Sequence, residues 1–381
     1  MPKTSFDYII CGGGASGLLF AKALCEDPFF SSHSILLIDK ATKTTNDRTW
    51  CYWEIGEGSF DSLLETQWDN AIFKSHGFKT QFALHPYRYK MLRSEKFYAS
   101  VQQVLQKNQC LHQIKAEVTD IQSQAEEVRV STPEGVYRGK QVFNSIFNPK
   151  ELLQQQKYPV LQQHFVGWFV KTQQPHFSSD TLTFMDFDIP QESATRFLYV
   201  LPLDAHTALV EYTLFSESLL TIEAYETGIK NYLSQLGITA YELLEKEQGA
   251  IPMSCFPFEK ANTHNLLHIG TAGGWTKAST GFTFQKSHQQ VQRLLPFLKR
   301  GKPLSRFAKR NRFWFYDLLF LDVLQRKNEK GGLLFQKMFE KNTPKTIFRF
   351  LNESTHLGEE LRILSSFPIG WFVKALIKRL F

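Results

Sequence analysis

The sequence predicts an α/β fold in which a nucleotide-binding βαβ unit is combined with an inserted sheet-rich domain and a helical C-terminal region. Three observations support this prediction. A glycine-rich turn stands between two apolar strands at the N terminus, β-rich segments fill residues 155–260, and residues 301–381 have helical periodicity. With 381 residues and 43% apolar side chains, the chain is long enough for two domains with large cores.

The N-terminal segment alternates between strand and helix patterns. Residues 6–11 form a short apolar strand that runs into residues 12–17 (GGGASG), and residues 18–25 continue as a helix. A second apolar strand, residues 35–38, ends on Asp39. A GxGxxG turn between a strand and a helix, followed by an acid at the end of the next strand, is the fingerprint of a Rossmann dinucleotide-binding unit.

Each residue of this fingerprint has a physical role. Gly12 permits the tight turn, Gly14 lets the backbone approach a pyrophosphate, and Gly17 lets helix and strand pack closely. The helix N terminus attracts the phosphates, and Asp39 is placed to bind ribose hydroxyls. We therefore predict a dinucleotide site formed by Gly12, Gly14, Ala15, Ser16, Gly17, Asp39 and Lys40.

The rest of the chain indicates FAD rather than NAD. The strand–helix pattern breaks off at residues 47–50, and helical periodicity returns only at 94–106, just after Arg93. A late strand–glycine segment, residues 266–274, resembles the one that closes over the ribityl chain in glutathione-reductase-type flavoproteins. The helix that follows, 283–298, would point its N terminus at the flavin, where the dipole favours a reduced, anionic ring. An ordinary glycine-rich turn is the alternative. The residues predicted to contribute here are Arg93, Gly270, Thr271, Gly273, Gly281 and Phe282.

These segments define the predicted fold class and its domains. We expect a Rossmann-like FAD-binding domain of the glutathione-reductase/hydroxylase type, with an inserted β-rich substrate domain and a helical C terminus. The FAD-binding domain is discontinuous and takes residues 1–55, 90–150 and 262–300. The β-rich domain takes 56–89 and 151–261, because strand-like runs follow one another there between Pro, Asp and Gly. The helical region takes 301–381.

Composition narrows the possible functions. The net charge of +7 is not accompanied by a nucleic-acid-binding motif, so nucleic acid is not an expected partner. Five scattered cysteines without a CxxC spacing predict neither disulfides nor a metal site, and favour the cytoplasm. No apolar run is long enough to cross a bilayer. The 34 phenylalanines indicate either a Phe-rich core or an apolar, lipid-facing cavity.

Several short segments stand in a characteristic order and spacing along the chain. These are GGGASG at 12–17, DRTWCYW at 47–53, FMD at 184–186, FLYVLPL at 197–203, LVEYT at 209–213, GAIPM at 249–253, AGGW at 272–275 and STGF at 279–282. In their order and spacing, over nearly the whole length of the chain, they resemble the lycopene β-cyclase family of carotenoid biosynthesis. Thr271 stands where many flavoproteins carry Asp, which leaves open how the ribityl phosphate region is contacted.

The resemblance implies an activity and its cofactors. The family closes β-ionone rings at the ends of lycopene, through γ-carotene to β-carotene, with no net redox change. Reduced FAD is required and NAD(P)H is the reductant. The reaction needs a proton donor, stabilisation of a carbocation and exclusion of water. Lycopene is dissolved in membranes, so a membrane surface is the expected second partner and the expected location is cytoplasmic and peripheral to the membrane.

Two carboxylates are the candidate acids. Glu211 lies in the LVEYT segment, on the same strand face as Leu209 and Thr213. Periodicity alone would predict that this face is exposed to solvent. The resemblance to the cyclase family instead implies that Glu211 is the catalytic acid. Asp186 ends the FMD segment and is either a second catalytic carboxylate or a strand-end residue. Burial of a carboxyl group beside apolar walls would raise its pKa, as a proton donor requires.

The sequence leaves two interpretations of the C-terminal segment and more than one possible function. Residues 369–381 place seven apolar side chains on one helical face, with Lys374, Lys378 and Arg379 on the other. This pattern fits an interfacial helix or a helix packed on its own core.

The alternative functions are a redox flavoenzyme acting on a lipid, such as an isoprenoid reductase or monooxygenase, and a non-catalytic prenyl-lipid carrier. The sequence leaves the oligomeric state unknown, as well as whether one or both ends are cyclised and whether β- or ε-rings form.

Overall fold

The computed structural model describes residues 3–380, which form two compact units. Within these residues, unit 1 comprises 3–50, 93–158 and 255–311, and unit 2 comprises 51–92, 159–254 and 312–380. The helices predicted as a separate C-terminal region fall in unit 2 from residue 312 onward.

Residues 3–380 contain seventeen strands and ten α-helices, numbered here in chain order. The strands are β1 (Ser5–Cys11), β2 (Ile35–Asp39), β3 (Thr49–Ile55), β4 (Thr66–Trp68), β5 (Asn70–Ser75), β6 (Phe78–Ala83), β7 (Tyr87–Arg93), β8 (Leu111–Lys115), β9 (Asp120–Ser123), β10 (Val128–Thr132), β11 (Gly135–Asn144), β12 (Leu161–Thr172), β13 (Thr181–Asp186), β14 (Thr195–Pro202), β15 (Thr207–Ser216), β16 (Tyr241–Met253) and β17 (Leu266–His268). The helices are α1 (Ala15–Glu26), α2 (Ser94–Lys107), α3 (Lys150–Gln154), α4 (Ile222–Gln235), α5 (Phe284–Leu298), α6 (Arg312–Arg326), α7 (Gly331–Lys341), α8 (Pro344–Leu351), α9 (Leu357–Ser366) and α10 (Ile369–Leu380).

Unit 1 is built on a seven-stranded sheet in the order β8-β2-β1-β11-β10-β9, with β17 also paired to β11. Strands β8, β2, β1, β11 and β17 run parallel to one another. The apolar sequences of β1 and β2 follow from this position, because parallel strands in such a sheet are covered on both faces. Ile9, Ile38 and Val142 are fully buried in its core. The predicted strand–turn–helix–strand unit and its Rossmann-like fold are confirmed.

Unit 2 is built on a second seven-stranded sheet in the order β16-β12-β15-β14-β13-β5-β6, accompanied by a three-stranded sheet β3-β7-β4. One face of the larger sheet packs on α4, where Val210 and Leu198 meet Ile229 and Leu233. All four side chains are fully buried.

The other face of this sheet is covered by phenylalanines. Phe197 of β14 and Phe215 of β15 pack against each other, and Phe215 also packs against Phe335 of α7. Phe187, just after β13, packs on both Phe197 and Phe335. Since these rings are nearly inaccessible to solvent, much of the phenylalanine excess serves as core. Within residues 3–380, no helix combines the length and apolarity that crossing a membrane requires.

Candidate active site

The glycine turn of unit 1 has the geometry of an anion-binding site. Gly12 has a φ of 96°, a conformation that favours glycine, and a Cβ added to Gly17 would lie 2.0 Å from the Gly12 carbonyl oxygen. Helix α1 therefore begins in direct contact with the turn. Its N-terminal cap, Gly14, makes no side-chain hydrogen bond, and its first turn contains no acidic residue. The backbone N–H groups and the positive end of the helix dipole are thus available to phosphate oxygens.

Gly14 and Asp39 complete this turn. A Cβ added to Gly14 would meet no described protein atom within 4 Å, so the space above its backbone is open to a ligand. Asp39 ends β2 and accepts hydrogen bonds from the backbone N–H groups of Gly13 and Ala41. These bonds fix the carboxylate and leave it lone pairs for ribose hydroxyls. Ala15 and Ser16 lie in the first turn of α1, and Lys40 is exposed just after β2.

The late glycine segment packs directly on α1. A Cβ added to Gly270, whose φ is 61°, would lie 2.5 Å from the Ser16 hydroxyl oxygen. One added to Gly273 would lie 2.1 Å from the His268 carbonyl oxygen. Ser16 also donates a hydrogen bond to Ser287 of α5, with 2.9 Å between the oxygens. The two glycine segments that the sequence predicts to bind one dinucleotide are therefore brought together by the fold of unit 1.

The loop between this segment and α5 fits a polar cofactor ring. The buried Thr280 hydroxyl has no hydrogen-bond partner among the described residues, as expected of a group that bonds to a bound ligand. Gly281 has a φ of 73°, and Phe282 follows it, two residues before α5 begins at Phe284. Lys277, only 3% exposed, supplies a cation in the same loop, and the sequence prediction did not select it. These residues fit the isoalloxazine and ribityl parts of FAD, whose reduced form is anionic.

Thr271 and Arg93 are the remaining predicted cofactor contacts, and Thr271 belongs to the late glycine segment itself. The Thr271 hydroxyl forms a hydrogen bond with the Thr276 hydroxyl, with 3.2 Å between the oxygens, so its position is fixed. Arg93 ends β7 and caps α2, and its side chain is buried. Trp50 stacks on Phe284, the first residue of α5, with 4.9 Å between ring centroids.

In unit 2, Glu211 stands in a row of residues that crosses four strands. It lies opposite Tyr199 of β14 on one side and opposite Gly167 of β12 on the other. Gly167 in turn lies opposite Glu247 of β16. Directly opposite residues of antiparallel strands project from the same face, so Tyr199, Glu211 and Glu247 share one face of the sheet. On this face of β15 the neighbours of Glu211, which are Leu209 and Thr213, are buried. The prediction from periodicity alone that this face is exposed to solvent is therefore wrong.

The environment of Glu211 keeps its carboxyl group protonated near neutral pH. Burial raises its pKa from an ordinary value of 4.5 to about 8, and the nearby charge of Glu247 adds to the rise. A hydrogen bond from the Thr213 hydroxyl, at 2.6 Å, acts in the opposite direction. The side chain is nonetheless partly accessible to solvent. A protonated carboxyl group that solvent can reach can donate a proton to a ligand.

Tyrosine side chains surround this carboxyl group. Tyr199 and Tyr89 are buried, and desolvation raises the pKa of both hydroxyls well above the ordinary range, so both stay neutral. The charge of Glu211 contributes to the rise in each case. Phe184 packs edge-on against both rings. The surroundings of Glu211 are therefore aromatic and contain neutral hydroxyls.

Asp186, the second predicted catalytic residue, is placed differently. Its carboxylate accepts a hydrogen bond from the Tyr232 hydroxyl of α4 and forms a salt bridge with Lys74, both at 2.7 Å. It lies opposite Leu198, whose side chain belongs to the α4 face of the sheet. The structure thus brings Glu211 together with Glu247 but not with Asp186. A catalytic role for Asp186 stays a prediction, and its contacts favour a structural one.

Sequence reasoning missed Gly167 and Glu247. The alternation of exposed and half-buried residues along β16 places Glu247 on the inner face, but only the strand register shows that it stands two strands from Glu211. The sequence carries no local signal for that register.

Comparison with known sequences was consistent with the predicted resemblance. The family profile described as "Lycopene cyclase protein" matches residues 7–376. A lycopene beta-cyclase from Pantoea ananas is 28% identical over 258 residues, which cover 65% of this chain and 63% of that protein, slightly less than two thirds of its length. A lycopene beta-cyclase from Pseudescherichia vulneris is 24% identical over 95% of this chain and 94% of its own.

Solved structures with the same fold are flavoproteins of several activities. A geranylgeranyl bacteriochlorophyll reductase-like protein from Thermoplasma acidophilum has a TM-score of 0.61 at 10% identity, covering 98% of this chain and 96% of that one. The flavin-dependent monooxygenase PieE, solved with FAD and substrate, has a TM-score of 0.62 at 12% identity, covering 95% and 72%. At such identities the likeness shows the fold alone, which is that of FAD-binding flavoproteins.

Proposed function

The chain belongs to the lycopene cyclase family, and from this premise we propose that it is an FAD-dependent lycopene β-cyclase. Its reaction closes the ends of lycopene into β-ionone rings, through γ-carotene to β-carotene, as an intramolecular isomerisation. The single observation that carries the proposal is Glu211, a half-buried carboxyl group of unit 2 that has a pKa of about 8 and lies near the rings of Tyr199 and Tyr89. An acid that stays protonated at neutral pH is what protonation of a carbon–carbon double bond requires.

The proposed role of Glu211 follows from its protonation state. The Glu211 carboxyl transfers its proton to the terminal double bond of the carotenoid, which leaves a tertiary carbocation on the adjacent carbon. The next double bond attacks this centre and closes the six-membered ring. Loss of a proton from the ring then gives the β-ionone double bond, so atoms and electrons balance without an oxidant. The ring faces of Tyr199, Tyr89 and Phe184 stabilise the passing positive charge by cation–π attraction.

The residues of unit 1 are proposed to hold FAD. Gly12, Gly14 and the N terminus of α1 bind the pyrophosphate, and Asp39 binds the ribose hydroxyls. The segment from Gly270 to Phe282 binds the ribityl chain and ring. When bound and reduced by NAD(P)H, the flavin supplies a negative charge that favours a carbocation electrostatically. Lys277 and the N terminus of α5 favour that anionic form.

A membrane surface is proposed as the second partner, because helix α10 leaves an apolar stripe uncovered. Ile369, Val373, Ile377 and Leu380 recur at helical spacing and are 45–67% exposed. Lys374 and Lys378 are exposed beside them, as in helices that bind anionic interfaces.

The opposite side of α10 packs against other parts of unit 2. Ala375 is buried, Phe372 stacks on Phe367, and Arg379 makes a bidentate pair with the buried Asp322, at 2.7 Å for each bond. Arg379 therefore does not belong to the free polar face on which the sequence placed it. Phe381, also predicted on the apolar face, lies outside the described residues. The helix thus packs on its own unit with one side and offers the other to a bilayer.

Pigment analysis tests the proposed activity. Expression of the chain in a lycopene-accumulating bacterium should convert lycopene to γ-carotene and β-carotene, and the Glu211→Gln variant should leave lycopene unchanged. Purified flavin-loaded protein should do the same under anaerobic conditions with NAD(P)H far below the amount of product formed. A product that requires one NAD(P)H per turnover would instead indicate a redox flavoenzyme. Lycopene bound but returned unchanged by the loaded wild type would indicate a carrier.

A further inference from the structure

We propose that unit 2 has a second ligand site, a cleft between helix α4 and residues 189–196. The cleft binds a small molecule that carries one carboxylate on an apolar body, and this carboxylate pairs with Arg196 in place of Glu192. Its volume of about 350 Å³ is in the range of sites for small molecules.

The cleft lies on the face of the large sheet that packs on α4. Arg196 of β14 stands opposite Leu214, and Tyr212 of β15 stands opposite Leu198. Directly opposite residues project from the same face, and both leucines belong to the core beneath α4. Glu211 precedes Tyr212 on β15 and projects from the other face. The cleft is therefore separate from the proposed cyclase site, and its ligand is independent of that reaction.

Arg196 is a buried cation whose donors the protein satisfies only in part. The residue is 8% exposed. Its Nη1 donates to the Glu192 carboxylate at 2.6 Å and to the Tyr212 hydroxyl at 3.3 Å. Nη2 donates to the Glu192 carbonyl oxygen at the long distance of 3.4 Å, and Nε has no hydrogen-bond partner among the described residues. A buried N–H group without an acceptor is uncommon, and the two oxygens of a carboxylate match the donors of a guanidinium.

Glu192 is suited to make way for a ligand. Nε is inaccessible to solvent, so a neighbouring group must move before a ligand can reach it. The Glu192 side chain is 65% exposed, and Glu192 and Ser193 both have positive φ angles, which residues other than glycine rarely adopt. The loop itself stays anchored by Gln191, whose side chain bonds to the backbone N–H and carbonyl groups of Arg196. Exchange of one carboxylate for another keeps the charge of the buried guanidinium neutralised.

The rest of the cleft fits an apolar body with a single charge. Ile189, Pro190 and Leu220 contribute apolar side chains to the described lining. A Cβ added to Gly228 of α4 would lie 3.0 Å from the Tyr212 ring, so no side chain separates the helix from that ring.

Charge in the lining selects among anions. Besides Arg196 and Glu192, the described lining contains one charged side chain, Glu223, which is exposed to solvent. A second negative charge on the ligand would be repelled by Glu223, so the cleft favours a monocarboxylate over a phosphate ester.

Benzoate is the probe, because it carries one carboxylate on an apolar ring. In flavin-loaded protein labelled with ¹⁵N-arginine, benzoate should shift the Nε–H resonance of Arg196, which is assigned by its loss in Arg196→Lys. Calorimetry measures the affinity without any assignment. Acetate, which lacks the apolar body, should bind about tenfold more weakly. Benzyl alcohol, which lacks the charge, should leave the resonance in place.

Three variants locate the binding. Ala224→Leu fills the cleft from α4 and should abolish benzoate binding, whereas Ala240→Leu makes the same change at an exposed position outside the cleft and should not. Glu192→Gln should bind benzoate about tenfold more tightly, because the competing carboxylate is gone.

Each opposite result counts against the site. Absence of saturable binding at millimolar benzoate would overturn the proposal. So would binding that Ala224→Leu leaves unchanged, or that Ala240→Leu weakens to the same extent, because the probe would then lie elsewhere. Unchanged or weaker binding in Glu192→Gln would refute the exchange of carboxylates at Arg196.

Discussion

Replacing Glu211 with glutamine should make the protein more stable than the wild type at pH 9 and leave the two nearly equal at pH 5. The reason lies in the difference between the folded and unfolded carboxyl groups. In the unfolded chain the group ionises near its ordinary value of 4.5, whereas in the folded protein burial and Glu247 raise its pKa to about 8. Between these values the native state holds a proton that the unfolded state has lost. The free energy of unfolding of the wild type therefore falls as pH rises across this interval.

The size of the effect follows from the interval. Each pKa unit corresponds to about 1.4 kcal/mol, so the shift sets an upper bound of about 5 kcal/mol. Since Glu211 keeps some contact with solvent, we expect a difference of about 2–4 kcal/mol above pH 8. Glutamine retains the shape and does not titrate, so the variant should lack this part of the pH dependence. The Thr213 hydroxyl can still donate to the amide oxygen.

Urea unfolding followed by tryptophan fluorescence from pH 5 to pH 9 measures this difference. Five of the seven tryptophans (Trp53, Trp68, Trp168, Trp314 and Trp371) lie in unit 2, so the signal reports mainly on the unit that contains Glu211. Glu242→Gln, on an exposed position of the same sheet, is the control and should follow the wild type. Parallel curves for Glu211→Gln and wild type over the whole range would refute a raised pKa at Glu211. The same variant should lose cyclisation about 10²–10⁴-fold, the usual contribution of a general acid.

Three further predictions concern the cofactor, the membrane and Asp186. Gly14→Val should abolish flavin binding, measured by flavin absorbance after purification, and leave the fold intact. The valine side chain would enter only the space that a pyrophosphate needs. A purified variant that is still yellow would contradict the Rossmann site. Val373→Glu combined with Ile377→Glu should reduce sedimentation of the protein with anionic vesicles. The control Leu219→Glu, at a similarly exposed position elsewhere in unit 2, should not reduce it. Unchanged sedimentation of the double variant would exclude α10 as the membrane-binding helix. Asp186→Asn should lower the free energy of unfolding in urea by about 2 kcal/mol, because its contact with Lys74 is weakened. A loss of cyclisation without a loss of stability would instead support a catalytic role for Asp186.

Local chemistry explains which parts of the fold were predictable. The GxGxxG turn and the acid after the second strand predict the start of unit 1, because each residue is required by a contact within about thirty positions. Strand β13, from Thr181 to Asp186, lies in the segment 151–261 for which the sequence predicts successive strand-like runs. The turn at residues 204–206 forms because the Asp204 side chain accepts hydrogen bonds from the backbone N–H groups of His206 and Thr207.

Local sequence says least where a distant part of the chain decides the outcome. Asp186 follows an irregularity in β13 after Thr183, and beyond it the side chain faces α4 rather than Glu211. Arg379 fits a solvated helix face by its spacing, but a buried carboxylate 57 residues earlier binds it. Neither result can be obtained from hydrophobic periodicity, which assigns a residue to a face but not to a partner.

The properties of Glu211 show the same limit at the proposed site. On β15 it alternates with apolar neighbours as a glutamate on a solvated face would, and in a sheet with one open face it would ionise near its ordinary value. Two features that this alternation does not reveal change the environment of Glu211. The phenylalanines of β14, β15 and α7 cover part of its face, and the register places a glycine and then a second glutamate beside it. Gly167 and Glu247 lie more than thirty positions before and after Glu211, so the register of β12 against β15 and β16 is the property on which the proposed role of Glu211 as a proton donor depends.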